Sequence, residues 1–252
     1  MSIVLAVLEN AVSAGPVLET AGRLGELTNA GVEAVAVPGS ASFEKKARHL
    51  ARQAGILLRP LGRPEGPALV TAVAQPEVLA AVVGARPTRP GHHPVGPVAL
   101  NLLERTRKPV VVVRPDLTSA AELRRILIPL EGSESSSRPV LDQLATLIPK
   151  EVELVVLHVF TDETLPAMLD HPARDLELIG REFLHRHLPH AHRIELRHGS
   201  IAGSVAEVCE QQHSDLVVLS WSQDASPGRA QVVREVLASC PMPVLLLPAA
   251  SP

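Results

Sequence analysis

The sequence predicts an α/β protein of two domains, each a doubly wound, five-stranded parallel sheet with helices on both faces. Three observations carry this reading. Short runs of Val, Ile, Leu and Ala alternate with segments of helical periodicity, the pattern of strands that crossover helices bury on both faces. The alternation passes once through the first half of the chain and begins again in the second. Both passes end alike, RTRKPVVVVRP against ASCPMPVLLLP, with Pro immediately before an all-aliphatic strand.

In the first half, IVLAVL (3–8) is a buried-type strand. The segment 15–31 follows as a helix, with Val17, Leu18, Leu24 and Leu27 at helical spacing and Gly31 expected as its C-terminal cap. VEAVAV (32–37) is a strand, FEKKARHLARQAG (43–55) a helix, and ILLRPL (56–61) a strand. A helix around PALVTAVA and the strand VLAAVVG (78–84) continue the series, and a helix over 96–107 and PVVVV (109–113) close it. In the second half the strands are ILIPL (126–130), VELVVLHVF (152–160), RIELRH (193–198), DLVVLS (215–220) and PVLLL (243–247). Helices are expected over 136–149, 173–188, 200–212 and 229–240. Crossovers between such strands are right-handed almost without exception, which gives the doubly wound layer. The boundary lies in RPDLTSAAELRR, so the domains are 1–115 and 125–252 with a linker over 116–124.

Composition narrows the function classes. The chain of 252 residues has a net charge of -3 and a pI of 6.4, without the basic excess of a general nucleic-acid binder. Aromatics are 2% of the chain, so the stacking platforms that hold bases are nearly absent. The cores must instead be aliphatic. No apolar run approaches the ~20 residues of a membrane span. The start MSIVLAVLENA lacks a cationic leader and soon meets Glu9, so a cytoplasmic location is expected. Cys209 and Cys240 have no disulfide-framework or metal-pair spacing, and Cys209 shares a helical face with Val205 and Val208 as a core residue would.

The stretch VVGARPTRPGHHPVG (82–96) raises the main question of function. Strand, glycine, basic loop, glycine and helix is the order in which chains build a phosphate cradle. Gly84, Arg86, Arg89, His92, His93 and Gly96 lie beyond a strand's carboxyl end, where doubly wound sheets bind ligands. Gly96 can cap the next helix, with Pro97 in its first turn. The alternative is a solvated loop stiffened by Pro87, Pro90 and Pro94.

Other sequence features carry less chemistry. His185, His187, His190, His192 and His198 are close in sequence, but Pro189 interrupts their helix and no cysteine or carboxylate completes a ligand set. SESSS (133–137) has no nucleophile elbow and reads as a capping region, with Ser136 or Ser137 ahead of Pro139. Trp221, the sole tryptophan, either walls a cleft or packs beneath a loop. There is no Walker A motif and no pair of carboxylates at a catalytic spacing. No catalytic residue is assigned.

Several of these segments resemble the universal stress protein family. LRRILIPLEGSES resembles its opening strand and acidic turn, HGSIAGSVAEVCEQQHSDLVVLS its third helix and fourth strand, and residues 82–113 its phosphate loop, fourth helix and fifth strand. The resemblance implies two Rossmann-like, adenine nucleotide alpha hydrolase-like domains in tandem. In nucleotide-binding members the loop runs Gly, two residues, Gly, nine residues, then Gly with Ser or Thr. Here Gly84 holds the first position, Pro87 the second, and Pro97 the third with Gly96 one residue early; Val98 stands in place of the hydroxyl. In the second half Ser220 and Gln223 replace the first two glycines. The acidic turn corresponds to Glu131, Gly132 and Ser133, whereas Leu8 takes the acidic place in the first half, with Glu9 one step on.

The resemblance therefore implies degenerate nucleotide sites, and the candidate nucleotide- or anion-binding residues are Gly84, Arg86, Arg89, Gly96, Glu131, Gly132 and Ser133. It also implies that the fifth strands, Val110–Val113 and Val244–Leu247, pair with each other, with a homodimer of whole chains as a further level of assembly. The expected function is a non-catalytic stress-response regulatory or binding protein with an unknown protein partner. No cofactor is expected with nucleic acid, membrane or metal as further absent partners; the alternative is an ATP or AMP sensor using a divergent loop.

Overall fold

All the aliphatic runs join one sheet. The structure is a computed structural model that describes residues 1–62, 65–86, 94–117, 122–130, 134–160, 193–224 and 230–249. The strands are β1 (Ile3–Leu8), β2 (Gly31–Ala36), β3 (Leu57–Arg59), β4 (Val78–Gly84), β5 (Val110–Val113), β6 (Arg125–Pro129), β7 (Glu153–Phe160), β8 (Arg193–His198), β9 (Leu216–Trp221) and β10 (Val244–Pro248). The described helices are α1 (Ala14–Thr28), α2 (Ala41–Gln53), α3 (Glu65–Val73), α4 (Pro97–Arg105), α5 (Glu134–Leu147), α6 (Ile201–Gln211) and α7 (Gln231–Ser239).

The ten strands lie in the order β3-β2-β1-β4-β5-β10-β9-β6-β7-β8. Within each half every pairing is parallel. At the centre β5 and β10 run antiparallel, with Val111 opposite Leu245. The strand order in one half is thus the reverse of that in the other, a pseudo-twofold relation about the β5–β10 seam. Burial follows position in the sheet: every residue of β5 and β10 is buried, whereas Leu57 of the edge strand β3 is 64% exposed.

Alternation within a strand sorts side chains onto two faces. Ile3, Leu5 and Val7 belong to one core, which α3, α4, α6 and α7 cover. Val4, Ala6 and Leu8 belong to the other, covered by α1, α2 and α5. Each core runs across both halves, since Val83 and Leu127 share the first and Val82 and Ile128 the second. Two-sided burial is why the strands read as continuous aliphatic runs rather than as apolar–polar alternation.

Helix ends follow local chemistry. Ser40 caps α2 by accepting from the Phe43 N–H at 3.2 Å, and Ser200 caps α6 by accepting from Gly203 N–H at 3.3 Å. Gly96 precedes α4, with Pro97 at its first position. Two expectations are corrected. Gly31 does not cap α1 but opens β2; Asn29, at φ 51 and ψ 39, takes the left-handed cap position. Asn tolerates that conformation because its short polar side chain bonds locally. Ser136 and Ser137 do not cap α5, which begins at Glu134 and carries Pro139 inside it. Pro139 falls early enough that only one intrahelical bond is lost. The helix expected over 173–188, with His185, His187, His190 and His192, lies outside the described residues. No helix among the described residues is long and apolar enough to cross a membrane.

Candidate functional site

Strand order reverses around β1 in the first half and around β6 in the second, and in doubly wound sheets ligands bind beyond the carboxyl ends of the strands at such a point. In the first half, Ala85 pairs with Val95 in an antiparallel bridge, and Arg86 N–H donates to Pro94 O at 2.8 Å. These contacts bring the start of the basic loop against its end and set Gly96 beside Arg86. Ala85 N–H donates to Val113 O at 2.7 Å. The backbone donors of residues 85 and 86, which a phosphate cradle would offer to ligand, are thus used internally.

Gly84 and Gly96 serve different purposes. A Cβ on Gly84 would stand 2.4 Å from Ser13 Oγ and 2.5 Å from Ser13 Cβ, so Gly84 permits the start of α1 to approach β4. A Cβ on Gly96 would stand 3.0 Å from Arg86 Nε and 3.3 Å from Glu9 Oε2. Glu9 follows β1 and Arg86 follows β4, and their charged ends converge on the N-terminus of α4. Glu9 Oε1 is buried with no hydrogen-bond partner among the described residues. Burial raises the Glu9 carboxyl to about 7 despite the opposing pull of Arg86. Ser13 Oγ is likewise buried and unpartnered among the described residues.

In the second half, a cleft of about 440 Å³ opens among the ends of β6, β7, β9 and β10 and the helices α5, α6 and α7. Leu157, Leu219 and Trp221 are buried in its wall, and Ser220 and Ser222 are exposed at its edge. Trp221 is 4% exposed, and its Nε1–H donates to Leu103 O at 2.9 Å. The residue both lines the cleft and packs, because its N–H reaches across to Leu103 of α4. Gln223 has φ 61, and its amide donates to Thr106 O at 2.6 Å. The position that the resemblance matches to the second cradle glycine thus has a left-handed backbone with a glutamine side chain.

Of the sequence-derived candidates, the structure brings Arg86 and Gly96 together and places Gly84 at the nearby end of β4. Arg89, Glu131, Gly132 and Ser133 lie outside the described residues. Glu9 and Ser13 were not among the candidates. Glu9 stood one residue from the family's acidic position, but neither its burial nor Ser13's approach to Gly84 has a signal in local sequence. Cys209 and Cys240 are both buried free thiols that lie beside each other. That contact and burial push the Cys209 thiol up.

The family model described as "Universal stress protein family" matches residues 122–248, just over half of the chain. No curated protein matches the chain at significant similarity. Among solved structures, a universal stress protein from Archaeoglobus fulgidus DSM 4304 is similar at 14% identity and a TM-score of 0.61, over 98% of this chain and 97% of that one. A protein described as a putative universal stress protein from Pseudomonas aeruginosa UCBPP-PA14 is similar at 13% identity and a TM-score of 0.65, over 98% of this chain and 93% of that one. The cytoplasmic domain of a prokaryotic cation chloride cotransporter shares the fold at 9% identity and a TM-score of 0.51, over 97% of this chain and 94% of that one. With its second half matched by the family model and its whole length sharing the fold of such proteins, the chain belongs to the universal stress protein family.

Proposed function

We propose that the chain is a non-catalytic stress-response regulatory or binding protein whose nucleotide cradles are degenerate. The observation that carries this reading is the convergence of Glu9 and Arg86 on Gly96 at the start of α4. A helix N-terminus attracts an anion, and here the chain brings its own carboxyl group there. A phosphate entering the same space would meet that carboxylate above its titration range. Arg86 is already beside Glu9, and the N–H groups of residues 85 and 86 are bonded within the chain. Pro87, having no N–H, could not restore a donor.

The test is calorimetric titration of the full-length protein with ATP and Mg²⁺, and with AMP, alongside the absorbance ratio of the purified protein near 260 nm. No heat of binding, no co-purified adenine nucleotide and no phosphate release are expected. Saturable binding would instead support the second reading, an ATP or AMP sensor with a divergent loop. That reading draws on Gln223, whose left-handed backbone keeps the turn that a cradle glycine would make. The candidate residues Arg89, Glu131, Gly132 and Ser133 would then be the first to substitute.

A further inference from the structure

We infer that the exposed face of α2 is a docking surface for an anionic lipid membrane, on which the protein rests peripherally. The helix is divided by its own sequence. Phe43, Ala47 and Ala51 are buried, whereas Lys45, Lys46, Arg48, His49 and Arg52 are all exposed. Lys45, Arg48, His49 and Arg52 follow the i, i+3, i+4, i+7 spacing of one helical face. They form a stripe about 10 Å long at 1.5 Å per residue, and Lys46 flanks it. None of these side chains has an ion pair or hydrogen bond among the described residues.

The surroundings leave that charge uncompensated. Of the acids on the elements that pack against α2, Glu26 is matched by Arg23 at 3.3 Å and Glu33 by Arg59; Glu19 is not free either. Glu44, the one acid of α2, is half-buried in its first turn. The net charge of -3 does not cancel the stripe. β8 lies nine strand spacings from β3, about 43 Å at 4.8 Å each, several times the Debye length of about 8–10 Å. The stripe carries no aromatic ring on which bases could stack and no apolar anchor for a protein partner. A lipid surface needs neither. Clusters of about four to eight Lys or Arg on an amphipathic helix recognise anionic headgroups, and α2 presents four. The missing apolar run excludes a span, whereas a surface contact needs none.

The test is cosedimentation of the full-length protein with two kinds of vesicle: phosphatidylcholine alone, and phosphatidylcholine mixed with phosphatidylglycerol at one part in three. Binding to the mixed vesicles only, present at about 0.1 M salt and lost at about 1 M, is expected. Each cation near such a surface adds about fivefold to partitioning, so Lys45→Glu with Arg48→Glu and Arg52→Glu should reduce it about a hundredfold or more. Lys45→Gln with Arg52→Gln, a gentler pair, should reduce it about twentyfold. Arg105→Glu with Arg107→Glu and Lys150→Glu reverses as many exposed cations away from α2 and should change it by about threefold at most. Circular dichroism identifies an α2 variant that fails to fold, and the other then decides. No binding to the mixed vesicles, equal binding to both kinds, or binding unchanged in a folded α2 variant overturns the inference. Tighter binding to duplex DNA or poly-L-glutamate than to the mixed vesicles overturns it too, and would make the stripe a nucleic-acid or acidic-protein contact. No arm involves ATP, so the degenerate cradles stand or fall separately.

Discussion

The indole N–H of Trp221 donates to the carbonyl oxygen of Leu103 at 2.9 Å, joining residues from opposite halves of the chain. Leu103 lies in the last turn of α4, where carbonyls have no partner inside the helix. Gln223 serves the same helix end through Thr106 O at 2.6 Å. Reciprocally, Arg114 from the first half reaches Ala238 O in the last turn of α7, at 3.3 Å. Each half therefore satisfies helix carbonyls of the other, beside the antiparallel β5–β10 seam. The seam is fastened by side chains as well as by strand pairing.

Trp221→Phe keeps most of the ring and removes the donor. It should cost about 1–3 kcal/mol by leaving a buried carbonyl unpartnered. At this chain length that is about 2–4 °C of melting temperature for each kcal/mol. Melting followed by circular dichroism checks this, since the variant has no tryptophan emission. An unchanged melting temperature would mean that water replaces the indole.

Gly84→Ala should be strongly destabilising, because the new methyl group would meet Ser13 Oγ at 2.4 Å and Ser13 Cβ at 2.5 Å. Overpacking of this kind costs about 1–3 kcal/mol. Ser13→Gly in the same chain should recover much of the loss, which chemical denaturation of the single and double variants would measure. Gly96→Ala should be milder. Its nearest neighbours are the ends of two flexible side chains, Arg86 and Glu9, which can move aside.

The pH dependence of stability should carry the signature of Glu9. Its carboxyl is raised from 4.5 to about 7 in the folded chain, chiefly by burial. The folded state then holds the proton more tightly than the unfolded state. Its contribution is fully present below pH 4.5 and is lost as pH rises to about 7. Glu9→Gln should flatten that part of the profile and stabilise the protein above pH 7 relative to the parent chain. Denaturation midpoints measured across pH 4 to 8 would check it; parallel profiles for the two proteins would exclude a buried titration at Glu9.

Cys209 and Cys240 should be silent in the native protein. They are 0% and 1% exposed, and the contact between their thiols together with burial pushes Cys209 up. A thiol reagent should label neither at an appreciable rate until denaturant is added. Fast native labelling would contradict the packing of α6 against α7.

How far these features were legible depends on whether their cause was local. Strands buried on both faces announce themselves, and β4 (Val78–Gly84) and β8 (Arg193–His198) coincide with their aliphatic or β-favouring runs. Gly96 before Pro97 marked the start of α4 because capping chemistry is local. The end of α1 was misplaced because Asn29, rather than Gly31, adopts the left-handed conformation, a choice both residues allow. The site was legible only in part. The place of Arg86 and Gly96 could be read from strand and loop order. The burial of Glu9 depends on three separate segments meeting, and the Trp221–Leu103 bond spans 118 positions in sequence. Nothing local records either.

The most direct test of the proposal that the cradles are degenerate is a thermal melt of the full-length protein with and without millimolar ATP and Mg²⁺. A ligand at 100 times its dissociation constant adds about 2.7 kcal/mol to stability, well within resolution. With Glu9 and Arg86 converging on the start of α4, the melting temperature should not move. A rise of several degrees would contradict the account and establish that phosphate still has a cradle in this chain.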